Sequence, residues 1–222
     1  MAGLLALCMV APAQAADIKT AVCSDNKPGC RLIYVNGDLL FGDAKKFTNL
    51  VKEQNITNAI VYLASDGGVF DEGMAMAKLV RERRYITYVS YDTQCFSMCA
   101  IIWLAGEKRW YTGTSTIGFH GITVFPTDKE GHIKDGSKGT PSYSGNALLG
   151  AFYSRLGLQD AAIAELTEHD ADHAYYLNTK NLAELGITAE RWVPPQPKQQ
   201  QGNTFNAETN KPQWEKDRET AR

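Results

Sequence analysis

The chain has 222 residues, of which 44% are hydrophobic and 22% are charged, and its formal net charge is −2. This composition is ordinary for a globular protein and excludes a fibrous or low-complexity chain. The nearly balanced charge provides no overall basic excess for binding nucleic acid or an anionic membrane, so neither is expected as a partner.

Residues 1–15 have the pattern of a secretory signal peptide. An apolar run at 3–10 is followed by Ala13-Gln14-Ala15, a small-x-small cleavage site, so the mature chain is predicted to begin at Ala16. The apolar run is too short to span a bilayer, and no Lys or Arg precedes it. The sequence therefore predicts a periplasmic or secreted protein.

Four cysteines follow the predicted cleavage site, at Cys23, Cys30, Cys95 and Cys99. An even number is typical of an oxidising compartment, and four cysteines allow three disulfide pairings. A turn-rich segment at 25–29 could close a loop between the first two. The second two are four residues apart, which on a helix brings their Cα atoms within disulfide range, at about 6 Å. The spacings do not match a zinc knuckle, so no metal is expected.

Strands and helices alternate in the first half of the chain. A short strand at 31–37 ends in Asn-Gly, and a helical stripe of apolar residues follows at 43–54. The continuous apolar run at 59–64 is typical of a strand that is buried on both faces of a parallel sheet. A helix at 72–84 and a strand at 85–91 complete this half.

The second half is predicted to contain further strands and helices before a polar tail. The predicted elements are a helix after Ser97, a strand near 109–111, a strand that ends at His120, a loop at 126–146, and helices at 147–156, 160–166 and 180–186. From Pro194 onward the chain has few apolar residues, which predicts disorder. We therefore expect one domain at 16–190 and a disordered tail at 191–222.

The alternation predicts an α/β fold with a mostly parallel sheet, in which sites lie beyond the carboxyl ends of strands. Three stretches follow predicted strands: Ser65-Asp66-Gly67-Gly68, the turn at Ser97, and His120. A serine hydroxyl becomes a nucleophile when a base takes its proton, and histidine is the usual base near neutral pH. Backbone N–H groups of the glycines can approach an oxyanion closely. Together these residues predict a shared site for acyl transfer.

These stretches have the sequences and the order of known family motifs. Residues 65–69 resemble a Ser-Pro-Gly-Gly-Val turn, with Asp66 in place of proline. Phe96-Ser97-Met98-Cys99-Ala100 resembles an Ala-Ser-Met-Gly-Ala nucleophile turn, and Ile117-Gly118-Phe119-His120 resembles a Met-Ile-His segment. In this order the motifs resemble the ClpP-type serine proteases of the ClpP/crotonase superfamily, and most of all the secreted, periplasmic ClpP-like proteins of bacteria. The resemblance covers about 32–187 and implies a spiral of ββα units.

The resemblance also implies a role for individual residues. It assigns Ser97 as the nucleophile and His120 as the general base, with the N–H groups of Gly68 and Met98 as the oxyanion hole. The family's third catalytic residue, an aspartate, falls on Ala174 when counted back from the closing motif at 177–186. Either Asp172, two residues away, orients His120, or the site is a Ser–His dyad or is impaired.

The function that this resemblance implies is an ATP-independent serine peptidase of the bacterial cell envelope, acting through an acyl-enzyme. Its substrate would be a peptide or an unfolded protein, and the chain would form a homo-oligomer. No cofactor is expected, and export would separate the protein from cytosolic ATP-driven unfoldases.

Other interpretations remain open from the sequence. Ser97 could cap the following helix, His120 could be structural, and Lys108 could form a Ser–Lys dyad. The missing aspartate favours a catalytically impaired binding or assembly module. A crotonase-type acyl-CoA enzyme is also conceivable, but predicted export argues against it because CoA substrates are cytosolic.

Overall fold

The computed structural model describes residues 15–23, 30–134 and 136–192. All but the last residue of the predicted signal peptide, and the predicted tail from Val193, lie outside the described residues. In chain order the elements are β1 (Asp17–Val22), β2 (Cys30–Asn36), α1 (Asp43–Glu53), β3 (Asn58–Ala64), α2 (Phe70–Glu82), β4 (Ile86–Val89), β5 (Gln94–Phe96), α3 (Met98–Leu104), β6 (Arg109–Tyr111), β7 (Thr116–Phe119), β8 (Thr123–Val124), β9 (Thr140–Pro141), α4 (Tyr143–Arg155), α5 (Asp160–Glu168), β10 (Tyr175–Tyr176), α6 (Thr179–Glu184) and β11 (Glu190–Arg191).

The main sheet has six strands in the order β1-β2-β3-β4-β6-β11. Its inner four strands and β11 run parallel, and only the edge strand β1 is antiparallel to its neighbour. The predicted α/β fold with a mostly parallel sheet is therefore confirmed.

The two faces of the main sheet differ in burial. On β3 the side chains of Ala59, Val61 and Leu63 are fully buried, whereas Ile60 and Tyr62 on the opposite face are only half-buried. The prediction that this strand is buried on both faces was therefore wrong. A long apolar run does not reveal whether helices cover one face of a sheet or both.

A second sheet of three strands, β5, β7 and β10, stands beside the end of β3. β5 is parallel to β7, and β10 is antiparallel to β7. Ser65 connects the two sheets, because its N–H donates to Gln94 at 3.0 Å and its carbonyl accepts from Phe96 at 3.0 Å. The carboxyl ends of β3, β5 and β7 therefore converge, as the shared-site prediction requires.

The segment predicted as a loop at 126–146 contains more structure than expected. β8 and β9 pair as an antiparallel ribbon, and Thr127 bridges to Ile133. The helix predicted to begin at Ala147 begins at Tyr143, because Ser142 caps it by accepting the Gly145 N–H at 3.1 Å. Strands of two residues leave no detectable alternation in the sequence, so this ribbon was missed.

Of the three pairings that the sequence left open, the structure forms Cys23–Cys30 and Cys95–Cys99. The first joins the paired strands β1 and β2, and the second spans the turn at Ser97 between β5 and α3. Within the described ranges, no helix combines the length and apolar character that crossing a membrane requires.

Candidate active site

Ser97 lies in the turn between β5 and α3 with an unusual backbone conformation. Its φ is 55° and its ψ is −125°, which is disfavoured for a residue with a Cβ and costs about 1–3 kcal/mol. The Ser97 N–H donates to the Gly118 carbonyl at 2.9 Å, and its own carbonyl accepts from Ile101 at 3.3 Å. Packing and hydrogen bonds on both sides thus maintain a strained serine at the end of a strand.

The Ser97 hydroxyl is not used as a helix cap. Although Ser97 precedes α3, its side chain accepts no hydrogen bond from the first turn of that helix. A capping role would therefore not explain a serine at this position. As a whole, the residue is half-buried.

The alternative Ser–Lys dyad finds no geometric support. Lys108 is exposed and lies beyond the last residue of α3, whereas Ser97 precedes the first. The seven-residue helix between them is about 10 Å long at 1.5 Å per residue.

The glycine turn after β3 packs directly on the serine turn. Gly67 has φ 98°, and a Cβ added there would lie 2.6 Å from Ser97 Cβ and 2.9 Å from the Met98 nitrogen. Gly68 has φ 136°, and a Cβ there would collide with the Leu39 carbonyl oxygen. Both positions therefore require glycine, the first for contact with the serine turn and the second for contact with the chain at Leu39.

Polar side chains brace this glycine turn. The Ser65 hydroxyl accepts the Gly67 N–H at 3.0 Å. The Gln94 amide donates to the Asp66 carboxylate at 2.8 Å. Asp66, which stands where the resembling family has proline, thus ties the turn to β5. Sequence reasoning did not identify Gln94, because its partner is distant in the chain.

Two backbone N–H groups beside Ser97 are available to an oxyanion. Leu39 bridges to Gly68 by donating to the Gly67 carbonyl at 2.7 Å and accepting from Val69 at 2.8 Å. Because this bridge uses the groups that flank Gly68, the Gly68 N–H points away from Leu39. The Met98 N–H belongs to the first turn of α3, where an N–H has no partner inside the helix. Among the described residues, neither N–H donates to another group.

His120 follows β7 and is buried, with 9% of its surface exposed. Its ring lies 5.1 Å from that of Phe96, the residue before Ser97. Burial is the main influence on its pKa and lowers it below the ordinary 6.5, while the bond to the Gly121 carbonyl and the charge of Asp170 act in the opposite direction. His120 is therefore neutral near pH 7, the form in which an imidazole accepts a proton.

A backbone carbonyl fixes the tautomer of His120. Nδ1 lies 2.7 Å from the Gly121 carbonyl oxygen. A carbonyl only accepts, so this contact is a hydrogen bond when Nδ1 carries the proton. That tautomer leaves the lone pair on Nε2, the nitrogen that would accept a proton from a serine. Sequence reasoning missed this contact because a backbone carbonyl has no signature in the side chains.

The structure brings the serine and histidine turns together without joining the two side chains. In the part of the chain that the structure describes, no hydrogen bond connects the Ser97 hydroxyl with His120. Hydrogen bonds between catalytic groups often tighten only when substrate is bound. In this structure, therefore, the Ser97 hydroxyl and His120 are not in proton-transfer contact.

No aspartate side chain contacts His120 in the described structure. Asp172 is exposed, and its N–H donates to the Asp170 carboxylate at 3.0 Å. The Gly121 N–H donates to the His169 carbonyl at 2.8 Å. This bond keeps the neighbouring Asp170 near His120, where its negative charge partly opposes the lowering of the His120 pKa by burial. The Asp170 carboxylate itself bonds to the His173 ring at 2.9 Å.

Ala174, which occupies the position of the aspartate in the resembling family, lies opposite His120. Tyr175 pairs with Phe119 in the β10–β7 ladder, which brings the preceding Ala174 to the level of His120. A methyl group cannot orient an imidazole, so the Gly121 carbonyl is the group that holds the ring.

Two other clusters of acidic residues and histidine could offer ligands to a metal ion. One consists of Asp128, Glu130 and His132, and the other of Glu165, Glu168 and His169. Neither includes Ser97 or His120, and Asp128 already uses one carboxylate oxygen to accept three backbone N–H groups in its own loop.

Comparisons with known proteins show the fold. No family model and no curated protein matches the chain. The structure of the ClpP protease catalytic domain from Plasmodium falciparum aligns with a TM-score of 0.52 and 17% identity over 76% of this chain and 88% of that one. A ClpP1 variant from Listeria monocytogenes aligns with a TM-score of 0.52 and 13% identity over 72% of this chain and 90% of that one. The chain therefore has the ClpP-like fold that its motifs implied.

Proposed function

We propose that this protein is an ATP-independent serine peptidase of the bacterial cell envelope. The observation that carries the proposal is the strained turn at Ser97, whose hydroxyl does not cap α3. Beside it lie the N–H groups of Gly68 and Met98, which have no partner within the described part of the chain. Backbone strain that the surrounding structure maintains is concentrated at functional sites.

The proposed chemistry begins with His120. Its Nε2 accepts the proton of the Ser97 hydroxyl while the serine oxygen forms a bond to the carbonyl carbon of the substrate. The negative charge moves to the carbonyl oxygen, where the N–H groups of Gly68 and Met98 stabilise it, each contributing about 3–4 kcal/mol to lowering the barrier. The imidazolium then gives its proton to the leaving amine, and water hydrolyses the acyl-enzyme by the same steps in reverse.

In this proposal the site works as a Ser–His dyad with a backbone carbonyl in the orienting role. The Gly121 carbonyl holds the required tautomer but carries no full charge, so it stabilises the imidazolium less than a carboxylate would. Asp170 adds a distant negative charge. Asp172 is not supported as the third member, because its side chain is exposed and His120 Nδ1 lies against the Gly121 carbonyl instead.

Envelope location and assembly are further parts of the proposal. Two disulfides support an oxidising compartment, since such bonds are rare in the cytosol. The substrate class, peptides or unfolded proteins, and a homo-oligomeric state are proposed from the ClpP-like fold. No cofactor is invoked by the chemistry above.

The proposal is tested by hydrolysis of an unfolded protein, such as casein, without ATP. Wild-type protein should release peptides, and Ser97→Ala should release none. Ser154→Ala, a change at an exposed serine on α4, is the matched control and should act like wild type. Equal activity of wild type and Ser97→Ala would reject Ser97 as the nucleophile.

A second function, a non-catalytic binding or assembly module, is favoured by two observations. Among the described residues, the Ser97 hydroxyl and His120 are not hydrogen-bonded, and no carboxylate contacts the imidazole. A folded wild-type protein that hydrolyses neither casein nor activated esters would support this alternative.

A further inference from the structure

The Cys95–Cys99 disulfide links the two sides of the turn that holds the proposed nucleophile. Cys95 is the middle residue of β5 and Cys99 is the second residue of α3, with Ser97 midway between them. The two Cα atoms are 5.1 Å apart, and both cysteines are fully buried. The bond therefore closes a ring of five residues whose centre is the strained serine.

The two flanks of the serine turn are otherwise held by different neighbours. On one side, β5 is only three residues long and pairs with β7 and with Ser65. On the other side, α3 packs against α2, where a Cβ added to Gly73 would lie 2.7 Å from Met98 Cβ. These contacts fix each flank to its own surroundings but do not connect the flanks with each other.

Across the turn itself the noncovalent support consists of one backbone hydrogen bond on each side of Ser97 and the packing of Gly67, where an added Cβ would lie 2.6 Å from Ser97 Cβ. The backbone conformation of Ser97 is unfavourable for a residue with a Cβ, so the turn would relax to another conformation if its neighbours allowed it. The hydrogen bond that the Ser97 carbonyl accepts from Ile101 is long, at 3.3 Å. A relaxation of this turn would move the Ser97 hydroxyl and the Met98 N–H together, because Met98 lies inside the same ring.

We propose that the Cys95–Cys99 disulfide is a positioning element that holds Ser97 and the Met98 N–H in reactive geometry. This inference rests on the proposed function, since it takes Ser97 as the nucleophile. Cys95 and Cys99 touch no substrate; they act through the backbone between them. A consequence is that the chain reaches full activity only after both thiols are oxidised.

The second disulfide provides a matched control. Cys30 pairs with Asn58 at the start of β3, whereas the site lies beyond Ala64 at its end. At about 3.3 Å per residue, this separation is about 20 Å. Loss of Cys23–Cys30 should therefore affect the β1–β2 edge and not the geometry of Ser97.

The first test compares Cys95→Ala/Cys99→Ala with Cys23→Ala/Cys30→Ala, using the second-order rate of labelling by a fluorophosphonate and the kcat and KM for a peptide substrate. Removing the bond at Ser97 should slow labelling about 10- to 100-fold and lower kcat with little change in KM, because small misplacements of reacting groups cost rates of this size. The control should stay within about twofold of wild type. Equal labelling by wild type and a folded Cys95→Ala/Cys99→Ala variant would overturn the proposal.

A second test avoids the question of whether that variant folds. In the Cys23→Ala/Cys30→Ala background, a small dithiol reduces Cys95–Cys99 to two thiols and is itself oxidised to a cyclic disulfide, so atoms and electrons balance. Labelling should fall on reduction and recover on reoxidation. Labelling that is unchanged by confirmed reduction would contradict the positioning role.

Hydrogen exchange distinguishes failure of this inference from failure of the proposed function. If fluorophosphonate does not label wild type at all, the peptidase proposal fails. The positioning claim is then decided by amide exchange over residues 96–100, which should become faster on reduction while exchange in α4 stays constant. No change in exchange at 96–100 would reject the claim whatever the activity.

Discussion

The serine side and the histidine side of the candidate site are held by very different means. Ser97 is fixed by a disulfide across its turn, by a backbone bond to Gly118 and by close contact with Gly67. His120 is oriented by one group, the Gly121 carbonyl. The carboxylate whose charge acts on its pKa, that of Asp170, is exposed. In the proposed mechanism, this difference would make the nucleophile and the oxyanion hole preorganised, while the proton acceptor would depend on burial and one backbone contact.

Removal of the base should have the largest effect. His120→Ala is expected to lower kcat/KM for a peptide or an activated ester about 100- to 10,000-fold, the usual contribution of a positioned base. The melting temperature should be compared, since His120 is buried. A fall of less than about tenfold would mean that the histidine side contributes little to the reaction.

Disturbing the serine side through packing should have the next largest effect. Gly67→Ala would place a methyl group 2.6 Å from Ser97 Cβ, at a backbone φ of 98°. We expect a fall in fluorophosphonate labelling of about 10- to 100-fold and a lower melting temperature. Gly157→Ala is a control for strain alone, because it also has positive φ but meets no atom within 4 Å. Equal labelling by both variants would argue against close packing as the basis of the serine geometry.

The pH profile reports on the histidine side directly. Burial lowers the pKa of His120, so the neutral base persists below the ordinary value of 6.5. The acid limb of kcat/KM should therefore lie below pH 6.5, with activity lost only as the pH falls through the lowered pKa. An acid limb above pH 6.5 would show that a negative charge near the imidazole outweighs burial.

The smallest effect is expected at the acidic residues near His120. Asp170→Asn removes a charge that raises the pKa of His120, so the acid limb should move to lower pH with a change in the plateau rate of less than about threefold. Asp172→Asn is the matched control and should leave the profile unchanged, because the Asp172 carboxylate is exposed and, unlike that of Asp170, is not among the charges that act on the pKa of His120. A shift caused only by Asp172→Asn would restore Asp172 as the orienting carboxylate.

A gain-of-function change would sharpen the same comparison. Ala174→Asp would introduce a carboxylate at the level of His120. It should raise the pKa of His120 and move the acid limb upward, opposite to Asp170→Asn, and it should increase the plateau rate if the carboxylate reaches Nδ1. The measurement is the pH dependence of kcat/KM for the two variants in parallel.

Much of the fold was predictable because its signals are local. The apolar run that became β3 and the helix pattern of α2 are long enough to identify from their own residues. β5 was not predicted, since its three residues become a strand only through pairing with β7 and Ser65. Because β5 was not predicted, the sequence did not show how the serine turn is supported.

The candidate site could be predicted only in part for the same reason. Sequence motifs that follow predicted strands identify Ser97, His120 and the glycine turn. The structure brings their turns together. The Gly121 carbonyl that orients the imidazole is a backbone group, so no residue type signals it. Which of the nearby aspartates acts on His120 depends on the path of the chain after α5.

The most direct test of the central claim is the identification of the residue that reacts with a fluorophosphonate. Folded wild-type protein is treated with the probe, digested, and its peptides are analysed by mass spectrometry. The account predicts one adduct, on the hydroxyl of Ser97, and its absence from Ser97→Ala. An unlabelled wild type, or an adduct on another serine with Ser97 unmodified, would contradict it.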